Sequence, residues 1–308
     1  MYIINPDKYL QPSYRISPFK TIDISYNNQL PHSNIIDVYF NKRFKTRKYY
    51  YCYNGRKAIN VALAHFNLNA EDIVSILTSS GNLYISSCVT KEIEQFCGWS
   101  RKIEEKTKVI LVNHEFGYPY KDLEELKKYG LPIIEDCAHT FFSVDNKNTI
   151  GQIGDFVIYS FPKMFPIQIG GLLVINNSVK LNEPEQLAPE ALQYIKNILS
   201  HYIVIKDKII HARLLIYKLL KSKLANIGLL ERFELTDGIV PGVYIFRVND
   251  KSIDLAELKI NLYAHGIQCS VFYGENSFFI PCHQNLNEND IEYFINVLKS
   301  YLQLKSKF

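Results

Sequence analysis

The feature that most constrains this chain is a short alternation near its middle. KVILVN (residues 108–113) is an apolar run of strand length, KDLEELKKYG (121–130) carries a helical pattern closed by Gly130, and LPIIED (131–136) is a second apolar run ending in two acids. Strand, helix and strand in that order form a βαβ unit, whose strands must lie parallel with a right-handed crossover between them. A parallel sheet is buried on both faces, which explains runs that are apolar throughout rather than alternating. FVIYS (156–160) and LLVIN (172–176) supply further strands of the same kind. The expectation is an α/β chain with a mostly parallel central sheet.

In open α/β sheets the chemistry gathers beyond the carboxyl ends of the strands. Asp136 and Ser160 fall at such ends, and Lys163 follows Ser160 by three residues in IYSFPKMFPIQIGG (158–171). Lys163 has scarcely a polar neighbour in sequence. An ammonium placed among apolar residues is exposed, neutralised or used. Upstream, YNGRKAINVALAHF (53–66) carries a helical stripe through Ala58, Ile59, Ala62, Leu63 and Phe66, with Asn54-Gly55 where an N-cap belongs. The first turn of that helix offers free N–H groups beside Arg56 and Lys57, a natural seat for an anion. A lysine at a strand end, an acid 27 residues before it and a helix start for a phosphate together meet the needs of pyridoxal 5'-phosphate. The amine forms a Schiff base with the aldehyde, the carboxylate keeps the pyridine nitrogen protonated, and the helix start takes the phosphate. The bland alternatives are an exposed loop lysine, an acid capping a turn and a helix start with two solvated cations.

At these residues the chain resembles the DegT-type sugar aminotransferases, which are pyridoxal-phosphate enzymes of the aspartate-aminotransferase fold, fold type I. HEFGYPYKDLEEL (114–126), IIEDCAHTFF (133–142), GQIGDFVIYSFPK (151–163), the Gly170-Gly171 pair and FFIPCHQNLNENDIEYF (278–294) follow the family's order. The resemblance implies Lys163 as the Schiff-base lysine and Asp136 on the pyridine nitrogen. It implies His139, where the family usually has Gln, near the ring hydroxyl, with Ser160, Gly55 and Arg56 on the phosphate. Tyr84 of LYISS (83–87) would stack on the ring, and His114 reads as structural. It further implies a homodimer, glutamate as amino donor and a nucleotide-linked keto-sugar as acceptor, in amino-sugar or surface-polysaccharide biosynthesis. The chain departs from the family in being short. It has little room for a strand and loop between Ser87 and Thr107, a Ser-to-Lys segment two residues tighter than usual, and no Asn-and-Arg motif before the long helix. Two other readings stand beside this one. A sugar dehydratase on the same fold is opposed by Lys163, which such members tend to replace. A catalytically silent relative would bind a sugar nucleotide or a partner.

Composition bounds the rest. With 308 residues the chain suits a large α/β domain over 1–185, followed over 186–308 by a long connecting helix and a small α+β domain that reads strand (243–248), helix (254–265), strand (267–273) and helix (287–304). In the connecting helix, Ile198, Tyr202, Ile205, Ile209, Ala212, Ile216 and Leu219 form one stripe, and Lys206, Lys208, Arg213 and Lys218 form a solvated opposite face. The run KRFKTRKYYYCYNGRK (42–57) has seven Lys or Arg among 16 residues, interleaved with tyrosine. Such a mix suits stacking on nucleic acid, but the net charge of +4 provides no wider basic field. The substrate's diphosphate on Lys42, Arg43, Lys45 and Arg47 is a better reading than nucleic acid, and a solvated surface segment leading into a strand stands beside it. Six scattered cysteines lack paired spacing, which argues against structural zinc, any other metal site or a disulfide framework. The N-terminus has no signal-like apolar core and no stretch is long enough to span a membrane, so a cytoplasmic protein is expected.

Overall fold

The computed structural model describes residues 13–305, so most of the N-terminal stretch read as leaderless lies outside the described residues. Seven strands form the main sheet: β1 (Lys48–Cys52), β2 (Ile73–Thr78), β3 (Gly98–Ser100), β4 (Thr107–Asn113), β5 (Ile133–Asp136), β6 (Phe156–Ser160) and β7 (Gly171–Ile175). Their order is β1-β7-β6-β5-β4-β2-β3. The five strands from β6 to β3 run parallel, and β7 is antiparallel to both β6 and β1. The register sets Asn113 beside Asp136 and Asp136 beside Ile158, two residues before Ser160. Three strand ends are thereby level at one edge.

Among the described residues eight α-helices surround the strands: α1 (Ile22–Asn28), α2 (Ile35–Phe44), α3 (Gly55–Ala64), α4 (Ser87–Ile93), α5 (Pro189–Val204), α6 (Lys206–Ala225), α7 (Leu255–Ala264) and α8 (Glu288–Lys305). Ala58, Ile59, Ala62 and Leu63 of α3 bury against one face of the sheet with Val89 and Ile93 of α4. The other face carries an aromatic core in which Phe40 and Phe44 of α2 meet Phe141, Tyr159, Phe161 and Phe165, closed over by α5. A second sheet, β10-β11-β9-β8, is antiparallel and built from β8 (Leu230–Glu231), β9 (Val243–Arg247), β10 (Ser270–Val271) and β11 (Ser277–Pro281). Its core takes Leu258 and Leu262 from α7, Ile291, Phe294 and Leu298 from α8, and α6 from Ile216 onward. Ile209 of α6 still belongs to the aromatic core of the first sheet. The proposed division at residue 185 therefore leaves α5 in sequence with the small domain while its side chains pack on the large one.

Four expectations are corrected. The connection from β4 to β5 is a 3-10 helix, Leu123–Tyr129, bounded by Asp122 and Gly130, both left-handed. A 3-10 helix rises about 2.0 Å per residue against about 1.5 Å in an α-helix, so seven residues cover more of the return across the sheet. Between Ser87 and Thr107 there is room for α4 and for β3, because an edge strand of three residues needs pairing on one side only. The strand expected over 267–273 is reduced to Ser270–Val271. The long helix breaks at Ile205 into α5 and α6.

Candidate active site

A cavity of about 380 Å³ opens at the carboxyl edge of the main sheet. Gly55, Arg56, Tyr84, Asp136, His139, Ser160 and Lys163 all line it, together with Asn113, Phe116 and, from the second sheet, Phe279. The sequence reading drew these seven residues from four separate stretches, and the fold brings them to one space.

Asp136 closes β5 and is 4 % exposed. Its Oδ2 accepts from Asn113 Nδ2 at 2.8 Å and its Oδ1 from the Ala138 N–H at 3.0 Å. Burial pushes its pKa above the ordinary carboxyl value, against the pull of those two bonds and of His114 and Lys163. Lys163 ends a single 3-10 turn, Phe161–Lys163, that leaves β6 directly. Burial lowers its pKa from the usual lysine value, opposed by Cys88 and Asp136. Its amine has no hydrogen-bond or ion-pair partner among the described residues. His139 is held neutral well below its ordinary pKa, chiefly by burial and also by the charges of Lys163 and Arg213. Its Nδ1 is buried without a partner and is backed by Gly242, where even a Cβ would approach to 2.3 Å.

At the other end of the cavity Asn54 caps α3, its side chain accepting from the Lys57 N–H at 2.9 Å. The first turn of α3 rests on the sheet so closely that a Cβ on Gly171 would meet the Asn54 carbonyl carbon at 2.6 Å, while one on Gly55 would meet Ser160 Cβ at 3.2 Å. Glycine at both positions lets free helix N–H groups and the Ser160 hydroxyl face the same point. Arg56 is exposed beside them. Tyr84 forms a side wall, its ring 5.5 Å from Phe116 and 5.4 Å from Phe279. A half-buried amine without a partner, a buried acid and a helix start beside a serine hydroxyl, all on one cavity, are groups that fit pyridoxal phosphate.

Some assignments change. Arg43 donates to the Phe141 carbonyl at 2.8 Å and lies over the rings of Phe141 and Tyr159. Arg47 donates to the carbonyls of Gly151 and Gly154. Both face inward, so neither is available to a substrate diphosphate, whereas Lys42 and Lys45 are exposed. Tyr49 and Tyr51 of β1 pack on α2, with Tyr51 donating to Asp37 at 2.7 Å, while Tyr50 packs on the α3 side of the sheet. Arg213, expected on a solvated face, is fully buried. It lies four residues after Ile209 and three before Ile216, a spacing that puts it on the apolar stripe and was the signal to its burial. Asn113 was also missed, although it ends the strand paired with Asp136.

Residues 99–190 match the model of the DegT/DnrJ/EryC1/StrS aminotransferase family. The chain is 30 % identical over 168 residues to a dTDP-3-amino-3,6-dideoxy-alpha-D-galactopyranose transaminase from Aneurinibacillus thermoaerophilus, covering 48 % of this chain and 44 % of that protein. It is 26 % identical over 149 residues to a GDP-perosamine synthase from Vibrio cholerae, covering 42 % and 40 %. The matched segments thus span under half the length of these curated relatives. Among solved structures it is similar to the aminotransferase TlmJ from Streptoalloteichus hindustanus, with a TM-score of 0.74 at 16 % identity, covering 95 % of this chain and all of that one. A dehydratase structure, E. coli GDP-4-keto-6-deoxy-D-mannose-3-dehydratase with bound hydrated PLP, superposes with a TM-score of 0.65 at 14 % identity, over 94 % and 100 % of the two chains. The chain has the fold of these aminotransferase structures, and the segment that carries Asp136 and Lys163 lies within the residues that match the DegT/DnrJ/EryC1/StrS aminotransferase family.

Proposed function

We propose that the protein is a pyridoxal-phosphate-dependent aminotransferase that passes an amino group from glutamate to a nucleotide-linked keto-sugar, in amino-sugar or surface-polysaccharide biosynthesis. The observation that carries this reading is the placement of the Lys163 amine and the Asp136 carboxylate on one cavity whose far end is the start of α3. When bound, pyridoxal phosphate supplies an electron sink for the carbanion formed at the donor's Cα. The first turn of α3, Ser160 and Arg56 would hold its phosphate, and Asp136, ionised, would keep the pyridine nitrogen protonated. Neutral His139 would turn its other nitrogen, Nε2, to the ring hydroxyl, since Nδ1 is closed off against Gly242, and Tyr84 would fix the ring plane. Lys163 would take the proton from the donor's Cα as a base and give it back as an acid on the far side of the bridging nitrogen. The lowered pKa of the amine suits this work, because a neutral base is then available at lower pH than on an exposed lysine.

The two curated relatives are named for a dTDP-linked sugar and for GDP-perosamine, which supports a nucleotide-linked acceptor here. A homodimer in the cytoplasm completes the proposal. Among the described residues no helix is long and apolar enough to cross a membrane. The test is spectroscopic. Purified protein given pyridoxal phosphate should develop a visible absorption band that L-glutamate bleaches and a keto-sugar nucleotide restores, with the amino-sugar nucleotide found by mass spectrometry. A band that glutamate leaves unchanged would contradict an aminotransferase.

A further inference from the structure

Lysine has a long flexible stem, so the one rigid part of Lys163 is its backbone. That backbone ends a single 3-10 turn, whose last carbonyls have no helical partner. Two side chains from distant sequence take them. Arg213 Nη2 donates to the Lys163 carbonyl at 2.8 Å, and Gln284 Nε2 donates to the Met164 carbonyl at 2.9 Å. The two are joined, since Arg213 Nε donates to Gln284 Oε1 at 2.8 Å. The remaining nitrogen, Nη1, reaches the carbonyls of Pro241 at 3.1 Å and Cys282 at 3.5 Å. Pro241 precedes Gly242, the residue that backs His139.

Arg213 is 0 % exposed and has no carboxylate partner among the described residues. Burial alone draws its pKa down to about 10, so it remains a cation at neutral pH. A buried guanidinium without an ion pair is costly, and a hydrophobic residue would fill the same stripe of α6 more cheaply. What a hydrophobic residue cannot do is reach the Lys163 turn, the Pro241 segment and the turn after β11 at once. Arginine's planar fork does so with fixed angles.

We propose that Arg213 and Gln284 are positioning residues that lock the backbone of Lys163 to α6 and to the turn after β11, and so fix where its amine stands in the cavity. The proposal rests on the reading of Lys163 as the cofactor-bearing amine. Arg213→Lys keeps the charge but cannot span the four acceptors, and the near-isosteric Gln284→Met removes both contacts of the amide while leaving the cation. Each variant is compared with wild type in three ways: the rate at which borohydride fixes pyridoxal phosphate to the Lys163 peptide, kcat against KM for glutamate, and the thermal midpoint of the cofactor-free protein. A displaced amine should slow fixation about tenfold and lower kcat by about 10- to 100-fold, with KM for glutamate within about twofold. Wild-type fixation rate and kcat in a folded variant would overturn the proposal and leave the function standing. Absence of fixation on Lys163 in the wild type would overturn the function instead. If Arg213→Lys does not fold, Gln284→Met decides alone by the same two readings.

Discussion

Glu135 and Asp136 are neighbours on β5, both carboxylates and both buried, yet they face opposite sides of the sheet and live differently. Glu135 is saturated. Its Oε1 accepts from the N–H groups of Ile153 and Gly154 at 2.8 and 2.5 Å, and its Oε2 from Gly151 N–H at 2.7 Å and His114 Nε2 at 3.1 Å. His114 in turn accepts the Tyr120 N–H at 3.0 Å on Nδ1, which leaves its proton on Nε2 for Glu135. Cys137 completes a trio of conceivable metal ligands there, but every Glu135 oxygen is already engaged. Asp136 has two protein donors and an open cavity beside it. The difference teaches where to look for chemistry in this molecule: a buried charge that the protein satisfies itself holds the fold, and one left underpaired awaits a ligand.

The largest effect expected from breaking this contrast is on turnover. Asp136→Asn should bind cofactor, since the α3 end and Lys163 remain, and should lose about 100- to 1000-fold in kcat. Activity within a few-fold of wild type would remove Asp136 from the chemistry. Glu135→Gln should do the reverse. It turns an amide donor toward N–H groups that need an acceptor, so unfolding stability should fall by about 3 kcal/mol in a denaturant titration, while kcat per folded molecule holds. A collapse of kcat at unchanged stability would show that the two faces of β5 are not separate in function.

A smaller effect separates the two basic stretches. Arg56→Ala should weaken cofactor affinity about fivefold, as befits one exposed cation at a helix start. Arg43→Ala should leave that affinity alone and destabilise the fold, because the guanidinium is held by the Phe141 carbonyl and its aromatic neighbours. Equal loss of affinity in both, measured by fluorescence titration, would erase the distinction. The smallest effect is on the cofactor-free protein. Because burial raises the Asp136 pKa, the folded state binds its proton more tightly than the unfolded state does. Wild type therefore loses stability as pH rises from the ordinary carboxyl value through the raised one. Asp136→Asn should melt about 2 °C higher than wild type at neutral pH, with the gain gone below the ordinary carboxyl value. A variant less stable at neutral pH would mean that the carboxylate is well paired after all.

Much of the fold was legible because its signals are local. Apolar runs marked the buried strands, their ends marked the chemical edge, and Asn54-Gly55 marked the start of α3. The burial of Arg213 could be read from its place on the apolar stripe, but its contacts could not, because its partners lie 28 to 71 residues away along the chain and are mainly backbone carbonyls, which no sequence pattern displays. The basic, tyrosine-rich run misled for a related reason. Composition shows that Arg43 and Arg47 are charged and cannot show that they point inward to carbonyls. The break at Ile205 interrupts an apolar stripe that runs on through it in sequence.

The most direct test of the account is covalent. Protein incubated with pyridoxal phosphate, reduced with borohydride and digested should yield one modified peptide, with the cofactor's mass on Lys163. Modification of another lysine, or none at all, would contradict the central claim that the cavity at the carboxyl edge of β5 and β6 is built around that amine.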